Sequence, residues 1–402
     1  MDYARVGPRI RRDRIPRTPQ KYGGAGGGIP EVSVIFNLPL DDAGAGIVNT
    51  VPTTSAGSPT PTFTRATVAW TKLSTGLWAQ VASGQARSCY LGATTAVGVY
   101  GGYFAEGAGT QLVTPDASIR DMTNAAWTKG ATMTAAKTAT GIDGAANSCT
   151  TLTGGAVSAT NTAFQTLVAA ASSRTYSCWI KRRTGTGTIN ITQDGGSTYT
   201  DITSQINGST FTRVSLTASV LNAAFGIQVV TNTDAIDVDF NQFEAGAFAT
   251  SPMATAGAAR NLDDLRYSST GNANLVTGTA YCEFAALQNI NGGSFLSFAN
   301  LTYPIGEASA GRIIMFDGTN NTLSGNSKST SAVNKGASAW SGIVSGICLN
   351  GGTPVAGTFD GAMAGATIDP GGAQVMVCYG QIKNVRIYNS ALSNADLQAL
   401  TT

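Results

Sequence analysis

The side chains of this chain that could carry chemistry are carboxylates, thiols and indoles, because its 402 residues include no histidine. Ser–His and Cys–His nucleophilic pairs and His-ligated metals are therefore ruled out. Hydrolysis of a glycoside needs two carboxylates roughly 5–10 Å apart. Only five Glu are present: Glu31, Glu106, Glu244, Glu283 and Glu307. None stands in an E-x-D-x-x-E strand of the kind sandwich glucanases use. Glu283, in Y-C-E-F, is the nearest catalytic candidate, but it reads first as an exposed strand carboxylate. Asp237 and Asp239, two apart in A-I-D-V-D-F, offer half of a calcium site or a solvated strand face. D-G-T-N-N (Asp317–Asn321) and D-G-G-S (Asp194–Ser197) read as turns first and ion sites second. Gly-Gly strings, such as Gly23–Gly28 and Gly371–Gly372, do not sit between a strand and a long helix, so phosphate binding is not supported. No enzyme activity, metal or cofactor is expected.

An indole can stack on the face of a sugar. Trp70, Trp78, Trp127, Trp179 and Trp340 form the pool. Trp179 follows a strand pattern and reads as core. Trp340, in S-A-W-S-G, has a loop-like setting and is the glycan-binding candidate, with core or interface burial as the competing reading. The six cysteines (Cys89, Cys149, Cys178, Cys282, Cys348, Cys378) are scattered without a C-x-x-C. They read as buried free thiols of a protein assembled in a reducing cytoplasm, with a disulfide framework as the alternative.

The elements that would position these groups are short strands. Between Asn124 and Arg260, strand character marks Tyr176–Lys181, Thr188–Thr192, Thr210–Leu216, Gly226–Val230 and Ala235–Phe243. In the last of these, Ile236, Val238 and Phe240 alternate with Asp237 and Asp239, which predicts one face in a core and one in water. Further on, Thr279–Leu287, Ser294–Phe298, Gly311–Phe316, Gly342–Leu349, Thr353–Phe359 and Gln374–Tyr379 read as strands. Near the end, Ser393 is an N-cap candidate with Asp396 in the capping-box position, and Leu397 and Leu400 face inward at helical spacing. Regular short strands with turn signals predict β-sandwiches.

Four segments occur in order: N-A-A-W-T-K (Asn124–Lys129), Y-S-C-W-I-K-R (Tyr176–Arg182), F-T-R-V-S-L (Phe211–Leu216) and F-N-Q-F-E-A-G-A-F-A-T-S-P (Phe240–Pro252). With P-T-F-T-R-A-T-V-A-W (Pro61–Trp70) and G-G-Y-F-A-E-G-A-G-T-Q-L (Gly101–Leu112) upstream, the pattern resembles the carbohydrate-binding-module-like jelly-roll domain of bacteriophage head-spike and tail-fibre proteins. In the second upstream segment a Gln replaces the family's Asn. The ending I-K-N-V-R-I-Y-N-S-A-L-S-N-A-D-L-Q-A-L (Ile382–Leu400) is similar to the last strand and helix of the laminin-G and concanavalin-A-like lectin superfamily. The resemblances imply an all-β chain with two β-sandwich (jelly-roll, lectin-like) domains in tandem. The expected division is an arm at 1–30, an adaptor of short strands and loops at 31–112, and sandwiches at 113–260 and 261–402.

Composition bears on partners. Charged residues make up 12%, about half the usual share of a soluble protein. Such a surface opposes close packing of copies only weakly, and a homo-oligomer is expected. Arg5, Arg9, Arg11, Arg12, Arg14, Arg17 and Lys21 crowd residues 1–22 against Asp2 and Asp13. Of 25 basic and 23 acidic residues, this leaves 18 and 21 for the remainder, which argues against a chain built to bind nucleic acid. Pro8, Pro16 and Pro19 oppose a helix in the arm. It reads as an anchor laid on an acidic groove of another virion protein, as a solubilising tail, or as a nucleic-acid contact. No signal peptide and no apolar run long enough to span a bilayer is visible. The resemblance implies a virion location and a short fibre or spike-like appendage that contacts host-surface glycan. A purely structural head decoration and a polysaccharide depolymerase are the alternatives.

Overall fold

β-branched and aromatic residues recur along the longest strands, as strands favour, and the described residues are nearly all β. The computed structural model describes residues 34–38, 60–73, 75–89, 102–255, 257, 259–287, 292–299, 302–330, 332–372 and 378–402. The arm expected at 1–30, with its six arginines, lies outside them, as does most of the expected strand Gln374–Tyr379.

The first β-sandwich has two five-stranded antiparallel sheets. One runs in the order Thr212–Ser219, Ser173–Thr184, Ala235–Ala245, Cys149–Thr153, Thr134–Ala139. The other runs Thr200–Asp201, Ile189–Thr192, Ala224–Val229, Thr162–Thr166, Thr128–Lys129. Phe225 is central to the core between them. Its ring stacks on Phe243 at 4.2 Å and meets Tyr176 at 5.3 Å and Trp127 at 5.8 Å.

The alternation expected at Ala235–Phe243 holds only in part. Every residue from Ala235 to Glu244 is buried, so the strand has no wet face. Ile236 and Val238 enter the core as expected. A bulge opposite Cys178 then breaks the period, with Phe240 at φ 43°. Phe240 turns toward Trp70 at 4.8 Å and Trp179 at 6.3 Å, on the sheet face away from the inter-sheet core. A hairpin of Ala69–Lys72 and Trp78–Val81 covers that face.

The second β-sandwich pairs an eight-stranded sheet with a seven-stranded one. In the larger sheet, Thr277–Ala286 lies between Asn334–Ser341 and Gly380–Tyr388. The outer edge of Gly380–Tyr388 is capped twice. Val34–Leu38 pairs along Val385–Tyr388, and Gly102–Ala105 pairs along Gly380–Ile382. Thr62–Thr64 caps Asp264–Ser268 in the smaller sheet. The early part of the chain thus supplies edge strands that would otherwise present unpaired backbone groups. Ser393 accepts from the Asp396 amide and caps the closing helix Asn394–Thr401, with Leu397 buried.

Several strands had no clear sequence signal. Thr134–Ala139 (T-A-A-K-T-A), Asn321–Ser327 (N-T-L-S-G-N-S) and Asn334–Ser341 (N-K-G-A-S-A-W-S) are built mainly from small and polar residues. They are strands because their neighbours pair with them. Cys149, Cys178, Cys282, Cys348 and Cys378 are free and buried, and burial pushes the Cys178 thiol up to about 12.

Truncating Phe225 to Ala removes the ring at the centre of the first core. Denaturant unfolding of this variant is expected to show a loss of about 3–5 kcal/mol.

Candidate functional site

A groove of about 1120 Å³ crosses the hairpin-covered side of the first sandwich and ends against loops of the second. Its floor is set by register. Trp179 lies opposite Arg213, Ser177 opposite Ser215, and Thr175 opposite Thr217, so these side chains share one face. The Thr175 and Thr217 hydroxyls share a hydrogen bond at 2.8 Å, and Arg213 donates to Ser177 Oγ at 3.0 Å. The Arg213 guanidinium lies 4.3 Å from the Trp179 ring centre, and Trp78 meets the same indole edge-on at 5.5 Å. Lys181 Nζ sits 5.0 Å from the Phe211 ring centre.

Two half-buried rings close the far end. Phe248 follows the strand Ala235–Ala245, while Tyr379 precedes Gly380–Tyr388, and they meet edge-on at 4.3 Å. Gly107 permits this, because a Cβ there would lie 2.9 Å from Tyr379 Oη. The groove thus combines aromatic rings, a row of hydroxyls and the cations Lys72, Lys181 and Arg213.

Behind it lies a buried ion cluster. Arg65 donates to Asp263 at 2.6 Å, and Arg87 pairs with the other Asp263 oxygen and with Glu106 at 3.0 Å. Arg260 reaches Glu106 at 3.3 Å and Asp263 at 3.7 Å. Each of the five side chains is at most 2% exposed. Arg87 also donates to Trp70 O at 2.7 Å and Ser251 Oγ at 2.9 Å, and Ser251 Oγ donates to Glu106 at 2.6 Å. Burial pushes the Glu106 carboxyl up, but Arg260 and Arg87, helped by Ser251, hold it below the ordinary glutamate value.

The structure disperses the residues singled out from sequence. Trp340 is 0% exposed, so the stacking role expected of it is corrected. It lies on Asn334–Ser341, a strand flanked on both sides, with Phe298 at 6.1 Å and its indole N–H donating to Asn274 O at 3.2 Å. The other four tryptophans are also at least nine-tenths buried. Glu283 accepts from Tyr281 Oη at 2.9 Å and is flanked in register by Lys335 and Lys383. Asp239 is no half-site for calcium, because both its oxygens accept from Arg120, at 2.7 and 2.9 Å. Asp237 accepts from Thr151 at 2.7 Å and Arg183 at 2.9 Å. Asp317 closes its own turn, accepting from the Thr319 and Asn320 amides at 2.8 and 2.6 Å. Phe248 lies within the segment Phe240–Pro252 and Tyr379 ends the expected strand Gln374–Tyr379, but nothing in either pattern marks the ring as a ligand contact.

No protein-family model matches the chain, and no curated protein matches it. Among solved structures it is similar to domain 4 of AbnA, a GH43 extracellular arabinanase from Geobacillus stearothermophilus, at 15% identity and TM-score 0.30 over 35% of this chain and 73% of that one. It is also similar to a CBM22 tandem domain from Paenibacillus barcinonensis, at 10% identity and TM-score 0.27 over 71% of this chain and 99% of that one. Domains LG4-5 of the mouse laminin α1 chain give 10% identity and TM-score 0.24 over 73% of this chain and 91% of that one. At these scores the likenesses carry nothing about ligand or activity.

Glu106 generates a pH test. Its folded pKa lies below its unfolded value, so its stabilising contribution is complete above roughly pH 4.5 and is lost as the pH falls through the folded value. In urea unfolding at a series of pH values, Glu106→Gln is expected to be less stable than the parent at pH 7. The gap should narrow as the pH drops below about 4.5.

Proposed function

We propose that this chain is a non-enzymatic, glycan-binding appendage of a phage particle, with the groove on the first sandwich as its binding site. The observation that carries the reading is the groove itself. Sugars present apolar C–H faces and a fringe of hydroxyls. The groove offers the half-buried rings of Phe211, Phe248 and Tyr379 beside the hydroxyls of Ser209, Thr210, Ser215 and Thr217. Lys72, Lys181 and Arg213 add donors and favour an acidic polysaccharide.

The particle setting rests on the sequence resemblance and on the arginine-rich first 30 residues, read as an anchor on another virion protein. The weakly charged surface supports a homo-oligomer. A monomer mass by light scattering at micromolar concentration would contradict that part of the reading.

The site is tested with immobilised bacterial surface polysaccharides, acidic and neutral. The full chain is expected to bind an acidic one saturably. Phe248→Ala and Tyr379→Ala are each expected to weaken it by about tenfold, the order of one lost ring contact. Removing residues 1–30 should leave this binding intact while abolishing attachment to particles. Saturable binding that both alanine variants retain at full strength would move the site elsewhere. Release of reducing sugar from the polysaccharide would replace a binding protein with a depolymerase.

A further inference from the structure

One edge of the first sandwich differs from the others. Thr212–Ser219 ends its sheet and pairs with Ser173–Ile180 along its whole length without a bulge. Among the described residues no strand lies beyond it. Exposed edges are ordinarily kept short, bulged, charged or covered. The opposite edge of the same sheet, Thr134–Ala139, carries a bulge and the exposed Lys137. The other sheet ends in the two-residue strands Thr200–Asp201 and Thr128–Lys129. Thr212–Ser219 has eight residues, no proline and one charge. That charge, Arg213, is stacked on Trp179, so it covers the sheet face and not the edge.

Two further observations say what the edge accepts. First, Gln193 Nε2 donates to both Arg174 O and Leu216 O, which sets these oxygens between the two paired strands. Bonding alternates along an antiparallel strand, so the amides and carbonyls of Arg213, Ser215 and Thr217 point outward. They suit another extended backbone. Second, an apolar row follows the same edge. Leu216 and Val220 are half-buried against the core, and Leu221, just past the strand, is 65% exposed.

We propose that this edge pairs antiparallel with the same edge of a second copy about a two-fold axis, joining the two sheets into one. Leu216 faces its own counterpart across the axis. Ser215 stands opposite Thr217 of the second copy, so the outward backbone groups bond each other. Phe211, half-buried, stands opposite Leu221 of the second copy, which gives that exposed side chain an apolar neighbour. Arg213 stands opposite Ser219, so like charges are not juxtaposed. Because Phe211 lines the groove, the second copy also contributes Leu221 to that end of it. The inference rests on the homo-oligomer reading and specifies its contact; it does not require that the groove bind glycan.

Sedimentation equilibrium of the full chain over about 1–100 μM tests it. The mass is expected to rise to twice the 41.0 kDa of one chain. Ser215→Pro removes one outward N–H from each copy and should weaken dimerisation about tenfold or more, the effect of two lost hydrogen bonds. Leu221→Glu should weaken it as well. Under mild oxidation Leu216→Cys is expected to give a disulfide-linked dimer, because its two thiols face each other across the axis. Ala218→Cys and the parent, whose described cysteines are buried, should not. An oligomer that Ser215→Pro and Leu221→Glu leave at full strength, with no Leu216→Cys cross-link, would overturn this contact while leaving a homo-oligomer standing. A monomer at about 100 μM would overturn both. Slow hydrogen exchange of the Ser215 and Thr217 amides in a monomer would place another segment of the same chain on the edge, and would overturn the contact too. If circular dichroism shows that Ser215→Pro does not fold, Leu221→Glu and the cross-link decide the matter.

Discussion

Buried charges must find partners, and here they find them across long stretches of chain. Arg65 and Arg87 come from the early segment, Glu106 follows the strand Gly102–Ala105, and Arg260 and Asp263 flank the start of the second sandwich. Each group sits at or next to the end of a strand: Thr62–Thr64, Ser88–Cys89, Gly102–Ala105, Ala259–Arg260 or Asp264–Ser268. The chain can place all five together only when those strands are in register. Such clusters add little net stability compared with apolar packing, but breaking one leaves an unpaired buried charge, at a cost of about 3–5 kcal/mol. The cluster therefore acts mainly as a geometric lock. Its bonds to Trp70 O and Ser251 tie the lock to the hairpin and the exit loop of the first sandwich.

The groove depends on that lock. One wall comes from the hairpin, its floor from the first sandwich, and Tyr379 from the second. A ligand there would contact parts of the chain more than 300 residues apart, from Lys72 to Tyr379. Rigid placement of such parts spares the ordering cost that binding otherwise incurs. The bulge at Phe240 contributes from below. It turns an aromatic ring out of the expected core to sit under Trp70 and beside Trp179.

Much of the architecture was legible in the sequence. Ser294–Phe298 was read with its observed bounds, and Ile236, Val238 and the Ser393 cap behave as their spacing implied. Large alternating side chains make such segments readable. Strands made of Thr, Ala, Ser and Gly were not readable, because small residues suit strands, turns and loops alike. That is why S-A-W-S-G looks loop-like in the sequence although Trp340 lies on a strand inside a sheet. The second face of Ala235–Ala245 was misread for another reason. Alternation shows which residues differ, not whether a later or earlier segment covers the polar side. The ion cluster and the Phe248–Tyr379 pair are products of tertiary approach and leave no local pattern.

Differential scanning calorimetry of the intact chain tests most directly whether one buried ion lock joins the two sandwiches. A single cooperative transition, with calorimetric and van't Hoff enthalpies in agreement, is the predicted result. Two separated transitions, one for each sandwich, would contradict it.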